Sequence, residues 1–166
     1  MKFLKSLNEG ISKVETVFLV VFVVGMILLS FSQVLLRTFF HGGFTWADAM
    51  LRNMVLWVGF IGASLATKND RHIEIDALTK FLSQKWKAAA DVLTSTVSFL
   101  IGLVFIYASY HFVNMEYQSG TKTFLEVPFW VVQMIIPVGF GFISLRFLIK
   151  VIEDISYLKS HFGKNP

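Results

Sequence analysis

Uncharged apolar runs alternate with short polar stretches along this chain, and the runs have the length of a bilayer. Thr16 to Leu36 carries no charge; at 1.5 Å per residue it reaches about 30 Å, the thickness of the hydrocarbon layer. Trp46 to Thr67 holds charge only in its first two turns, at Asp48 and Arg52. Val92 to Met115 is again uncharged, and Val127 to Leu145 is a fourth run, interrupted by Pro137 and closed by Arg146. Only helices and closed barrels satisfy their backbone in lipid, and runs of this length suit helices. The pattern predicts an all-α integral membrane protein, a single membrane domain over residues 1–166. Its transmembrane helices are expected at about 16–36, 46–67, 92–115 and 127–145.

Two other segments are amphipathic. Leu4, Leu7, Ile11, Val14 and Phe18 recur at spacings of three and four, with Lys5, Asn8, Glu9, Ser12 and Lys13 on the other face. Ile75, Leu78, Leu82 and Trp86 do the same within the longest polar stretch. Both read as short interfacial helices, at about 3–14 and 73–87. A signal peptide is the competing reading of the N-terminal region. Its apolar core would be shorter and a small-residue cleavage site would follow. Here the run ends in QVLLRTFF, which favours an uncleaved helix.

Composition sharpens this picture. Only 16% of the 166 residues are charged, against roughly 25% in a soluble domain. The chain has no cysteine, which removes disulfides, thiolate nucleophiles, cysteine-ligated metals and thiol oxidation. The net charge of +4 fits cytoplasmic anchoring better than nucleic-acid binding. Twelve of the fifteen Lys and Arg fall in the N-terminus, the 68–91 stretch and the tail. Only Arg37, Arg52 and Lys122 fall on the other side. By the positive-inside rule both termini are cytoplasmic, and the connectors 37–47 and 116–126 face outward.

Candidate chemistry is sparse. A transporter that works alone places an ionisable group near the bilayer centre, and none of the predicted spans has one there. A haem bundle needs facing histidines; His111 alone lies inside a span, while His41, His72 and His161 do not. His111 reads as an interfacial hydrogen-bonding residue. Asp48 and Arg52 are spaced i, i+4 with the acid first, the favourable order for a pair on one face. They either neutralise each other at headgroup level or contact another protein. Gly59, Gly62, Ala63 and Ser64 make one side of the second helix small, suited to close packing within the chain or against a partner. Trp46, Trp86 and Trp130 sit where interfacial indoles are expected. No cofactor or metal site and no enzymatic cluster is legible.

Five stretches in order carry a resemblance: LLRTFF, TWADAMLR, WVGFIGASLAT, RHIEIDAL, and VPFW followed by IPVGFGF and Arg146. Over about residues 14–150 the chain resembles the small membrane subunit of tripartite ATP-independent periplasmic (TRAP) transporters. It departs from that pattern at Ala49, where the family usually has a second acid after the tryptophan. The resemblance implies a scaffold subunit in the bacterial inner membrane. It implies two protein partners, a large membrane subunit bearing substrate and sodium sites and a periplasmic substrate-binding protein that delivers an organic acid. The acid would be a C4-dicarboxylate, sialic acid or a similar carboxylate. Phospholipid is the remaining expected partner, and nucleic acid is excluded. The expected partner-interface residues are Arg37, Trp46, Asp48, Arg52, Gly59, Gly62, His111, Lys122 and Glu126. A stand-alone small transporter or channel is the alternative reading.

Overall fold

The computed structural model describes residues 2–69 and 84–162. Three long helices come first: α1 (Lys2–Phe40), α2 (Ala47–Asn69) and α3 (Gln84–Ser119). A 3-10 turn (Phe124–Glu126) and the short α4 (Phe129–Gln133) lead into α5 (Ile135–Phe162). Four stretches are long and apolar enough to cross a bilayer: Asn8–Phe40, Ala47–Thr67, Trp86–Ser119 and Phe129–Ser160.

The helices run further than the apolar runs that predict them. α1 continues unbroken through 14–16, so the expected interfacial segment at 3–14 is not a separate helix. No Gly or Pro interrupts that junction, and the Ser12 and Thr16 hydroxyls bond back to the carbonyls of Asn8 (2.8 Å) and Ser12 (2.7 Å). At its other end α1 passes Arg37 and stops at His41, which takes the left-handed conformation (φ 50°). The amide of Gly42 then reaches the carbonyl of Leu36 (3.4 Å), a left-handed C-terminal cap. The interfacial helix expected at 73–87 lies outside the described residues except for 84–87, which open α3. α5 continues well past Arg146, because Ile149, Ile152 and Ile155 keep an apolar stripe going. Ser95 on α3 supports that extension by donating to Asp154 on α5 (2.9 Å).

The principal contacts run α1–α2, α2–α5 and α5–α3. The four spanning segments therefore form an open row, with α1 and α3 at the edges, rather than a closed bundle. The α5–α3 seam is the most extensive. Ala88, Ser95, Gly102 and Ser109 recur every seven residues along α3, and all face this seam buried. Small residues on a seven-residue repeat let two helices approach and cross at a shallow left-handed angle. At Gly102 a side chain would collide with Ser144 of α5, whose hydroxyl lies 2.1 Å from the ideal Cβ position. Gly139 likewise takes the ring of Phe60 against its backbone. Phe60, Phe140 and Phe105 then form an aromatic chain across α2, α5 and α3, with centroids 5.3 and 4.8 Å apart.

Pro137 lacks an amide hydrogen and crowds the preceding turn, so the helix breaks between α4 and α5. Trp57 of α2 braces the break, its indole donating to the Val132 carbonyl (3.0 Å). Few apolar side chains are buried, and the outer surfaces of α1 and α3 are covered with exposed Val, Leu, Ile and Phe. In water such a surface would aggregate; in lipid it is solvated.

Candidate interaction surfaces and the buried charge network

The connector between α1 and α2 is built around Gln33. Its side-chain amide donates to the Phe44 carbonyl (2.7 Å) and accepts from the Phe44 amide (3.0 Å). This double bond fixes Phe44, which stacks on Trp46 at 5.3 Å, and delivers Asp48 to the first turn of α2. There Asp48 pairs with Arg37 across the connector (2.6 Å), not with Arg52 as the spacing suggested. Arg52 donates its Nε to the Asp48 main-chain carbonyl instead (3.3 Å). The reason is helix length: α1 extends far enough to carry Arg37 beside the carboxylate. Both partners are more than half exposed, so the pair contributes about 0.2–1 kcal/mol at most.

The loop between α3 and α4 is a tight hairpin. The Thr123 amide bonds the Val127 carbonyl (2.8 Å) and the Phe129 amide bonds the Thr121 carbonyl (2.9 Å). Lys122 and Glu126 form an exposed ion pair (2.6 Å). Their hydrogen bond, and secondarily their opposite charges, hold Lys122 above its ordinary value and Glu126 below its own. The pair is therefore intact at neutral pH and is lost when the medium is acidic enough to protonate Glu126. Arg37, Trp46, Asp48, Arg52, Lys122 and Glu126 all belong to these two loops or the helix turns beside them. Gly59 faces open space and Gly62 meets Leu19 of α1 at 3.7 Å. His111 is exposed on α3, apart from both loops.

The most constrained polar cluster lies at the opposite end and draws on three helices. Arg146 of α5 and Glu15 of α1 form an ion pair, both about nine-tenths buried. The Ser64 hydroxyl on α2 donates to Glu15 (2.6 Å). Arg146 also donates to the Ser64 carbonyl (2.5 Å) and the Ser12 hydroxyl (3.2 Å). Its Nε has no partner among the described residues. From Glu15 to Arg37, α1 rises about 33 Å, so the network sits at one boundary of the hydrocarbon and not at its centre. Sequence reading gave Glu15, between the lead-in and the first span, no role, and placed Arg146 at a helix end. Their separation of 131 residues left no local signal of pairing.

Beside this network lies an apolar cleft of about 390 Å³ between α1, α2 and α5, walled by Ile11, Phe18, Phe60, Ile135 and Phe142. A second cleft of about 400 Å³ continues it toward the 3-10 turn at Phe124, and Trp57 borders both. Phe22 stacks on Trp57 at 5.7 Å and bridges the junction. These walls suit hydrocarbon: an acyl chain or apolar side chains. Their polar lining, Glu15, Ser64, Trp57 and Asn53, is already hydrogen-bonded within the protein, and Glu15 would repel an organic anion. Among the described residues no cluster of His, Asp and Glu could hold a metal.

Comparison with known proteins agrees with this geometry. Residues 26–156 match the family described as "Tripartite ATP-independent periplasmic transporters, DctQ component". The sialic acid TRAP transporter permease SiaT of Haemophilus influenzae is 28% identical over 129 residues, covering 78% of this chain and 18% of that protein. The isethionate TRAP permease DctMQ of Oleidesulfovibrio alaskensis is 22% identical over 141 residues, 81% of this chain and 22% of that one. The ectoine TRAP small permease TeaB of Halomonas elongata is 23% identical over 154 residues, 92% of this chain and 80% of that one. The chain thus spans about a fifth of the length of the first two relatives and most of the third. With four helices among the described residues long and apolar enough to cross a membrane, and a match over residues 26–156, the chain belongs to the DctQ family, the small membrane subunits of TRAP transporters, which are not enzymes.

Proposed function

We propose that the chain is the immobile scaffold subunit of a sodium-coupled importer of an organic acid or similar small polar solute. It acts with a large membrane subunit, which carries the transport sites, and a periplasmic binding protein, which delivers the solute. One observation supports this above the others: among the described residues, the buried charge at membrane depth is the Glu15–Arg146 ion pair, at one boundary. Among these residues no unpaired carboxylate, Lys or Arg waits at mid-depth for a sodium ion or a carboxylate, which leaves a stand-alone transporter without a charged site there. Relatives named for sialic acid, isethionate and ectoine share this subunit, which supports a role common to chemically different cargoes. Phospholipid fills the apolar clefts left open to the membrane.

The test is reconstitution. Proteoliposomes holding this chain, with a sodium gradient and the cognate binding protein, are expected to take up none of sialic acid, isethionate, ectoine or C4-dicarboxylates. Adding the large subunit should establish uptake of one of them. Sodium-driven uptake by the chain alone would overturn the scaffold reading.

The proposed orientation is inner membrane with both termini cytoplasmic, from the Lys and Arg asymmetry. The cysteine-free chain makes this easy to check. Gly42→Cys and Gln118→Cys should react with an impermeant thiol reagent added outside intact cells, and Gln84→Cys should not. The reverse labelling pattern would invert the topology.

A further inference from the structure

The two edges of the helix row present lipid with different surfaces. Along α1, exposed Val17, Val20, Val24, Ile27, Leu28 and Phe31 form an apolar face. Its only polar side chains between Val17 and Ser32 are two serines, one of which, Ser32, bonds its own backbone at Leu28 (2.8 Å). Along α3, Tyr107, Tyr110, His111 and Asn114 fall within about 100° of arc on a helix wheel. That face is distinct from the small-residue seam on α5. All four are exposed, the two tyrosines at 73% and 67%.

These groups descend from about 3 Å below Glu116 at Asn114 to near mid-depth at Tyr107. Glu116 marks the polar end of α3, and Tyr107 lies about 14 Å below it, against a hydrocarbon half-thickness of about 15 Å. Helical side chains tilt toward the helix N-terminus, which here is away from the nearer polar boundary. Reaching up to the headgroups is therefore opposed by the backbone. Two phenols, an imidazole and a carboxamide are left facing acyl chains, with no hydrogen bond to any described residue. Acyl chains cannot supply one, and an unmet polar group in hydrocarbon is costly.

We propose that this α3 face is the docking surface for the large membrane subunit, whose transmembrane helices supply the missing donors and acceptors. The assignment rests on the scaffold reading above. The occupant follows from two facts. It must carry polar side chains at bilayer depth, which a polytopic protein does and a lipid tail does not. And in the relatives matched over 18% and 22% of their length, the equivalent of this chain is joined covalently to a much longer one. The α1 edge, by contrast, is left to lipid.

Spin labels test this in the assembled complex in a bilayer. Asn114→Cys and Val24→Cys each carry a nitroxide, and oxygen accessibility is read with and without the large subunit. Position 114 should lose most of its accessibility on assembly and position 24 should keep it. Separately, the triple variant Tyr107→Phe, His111→Leu, Asn114→Leu should retain the large subunit roughly tenfold more weakly, as three interhelical hydrogen bonds in lipid imply. Its thermal stability as an isolated chain should be unchanged, since all three side chains are exposed. An intact complex with position 114 still open to oxygen overturns the α3 assignment alone. Protection of 114 before the large subunit is added places a second copy there and also overturns it. Failure of the unmodified chain to bind a large subunit at all overturns the scaffold reading and this assignment with it.

Discussion

Arg146→Leu and Glu15→Leu should each destabilise the chain by about 3–5 kcal/mol, because each leaves a buried charge without its counterion. The double variant, Glu15→Leu with Arg146→Leu, should recover most of that loss. Two apolar side chains at a hydrocarbon boundary need no partner, and a buried ion pair replaced as a unit is often neutral. Glu15→Leu should be the worse single change: a stranded carboxylate is neutralised by taking up a proton, a route closed to a guanidinium. The measurement is unfolding of the chain in nanodiscs, followed by tryptophan fluorescence and arranged as a double-mutant cycle. A double variant as unstable as the singles would mean that the bonds to Ser12 and Ser64, and not the matching of charge, hold the site together. The physical role of the network is then clear. It ties α1 to α5 across α2, in a row whose edge helix α1 packs chiefly on α2 alone.

The second large effect is steric. Gly102→Ala places a Cβ where the Ser144 hydroxyl lies, 2.1 Å away, and 3.2 Å from the Ser144 Cβ. A serine hydroxyl can rotate aside, so alanine should cost about 1–3 kcal/mol. Gly102→Leu cannot be absorbed that way and must drive α3 and α5 apart. The seam is the most extensive contact in the row, and its opening should abolish assembly into the transporter. Ser144→Gly combined with Gly102→Ala should restore stability, since it clears the space the new methyl needs. Thermal unfolding of the three variants decides the matter. A Gly102→Leu variant of normal stability would show that the two backbones do not approach as closely as described.

These two sites also show where sequence reading stops. The number and rough position of the spans were legible because bilayer thickness converts directly into residue count, a local property of each run. The placement of Lys122 and Glu126 in one tight loop follows from their short spacing between two apolar runs. Membership of the family was legible because its five stretches keep their order and spacing over most of the chain.

Other features were set by contacts between distant segments. A polar stretch of good helix formers does not end a helix, so α1, α3 and α5 run beyond their apolar cores, and composition alone could not place their ends. The extension of α1 moved Arg37 to Asp48 and displaced the expected Asp48–Arg52 pair, although that pair had the favourable i, i+4 order. Ala88, Ser95, Gly102 and Ser109 repeat every seven residues and were readable in principle. The small side of α2 drew attention instead, yet Gly59 there faces open space, Gly62 makes an ordinary contact, and Ser64 is buried through its hydrogen bonds to the charge network. Small residues permit close approach without requiring it, and only the opposing surface decides which set is used. Glu15 and Arg146 are the limiting case. Each is an unremarkable charge beside an apolar run, and a one-dimensional string carries no depth and no neighbours. Their pairing exists because three helices arrive at one membrane boundary in register, where the low dielectric leaves a charge no alternative to the partner beside it.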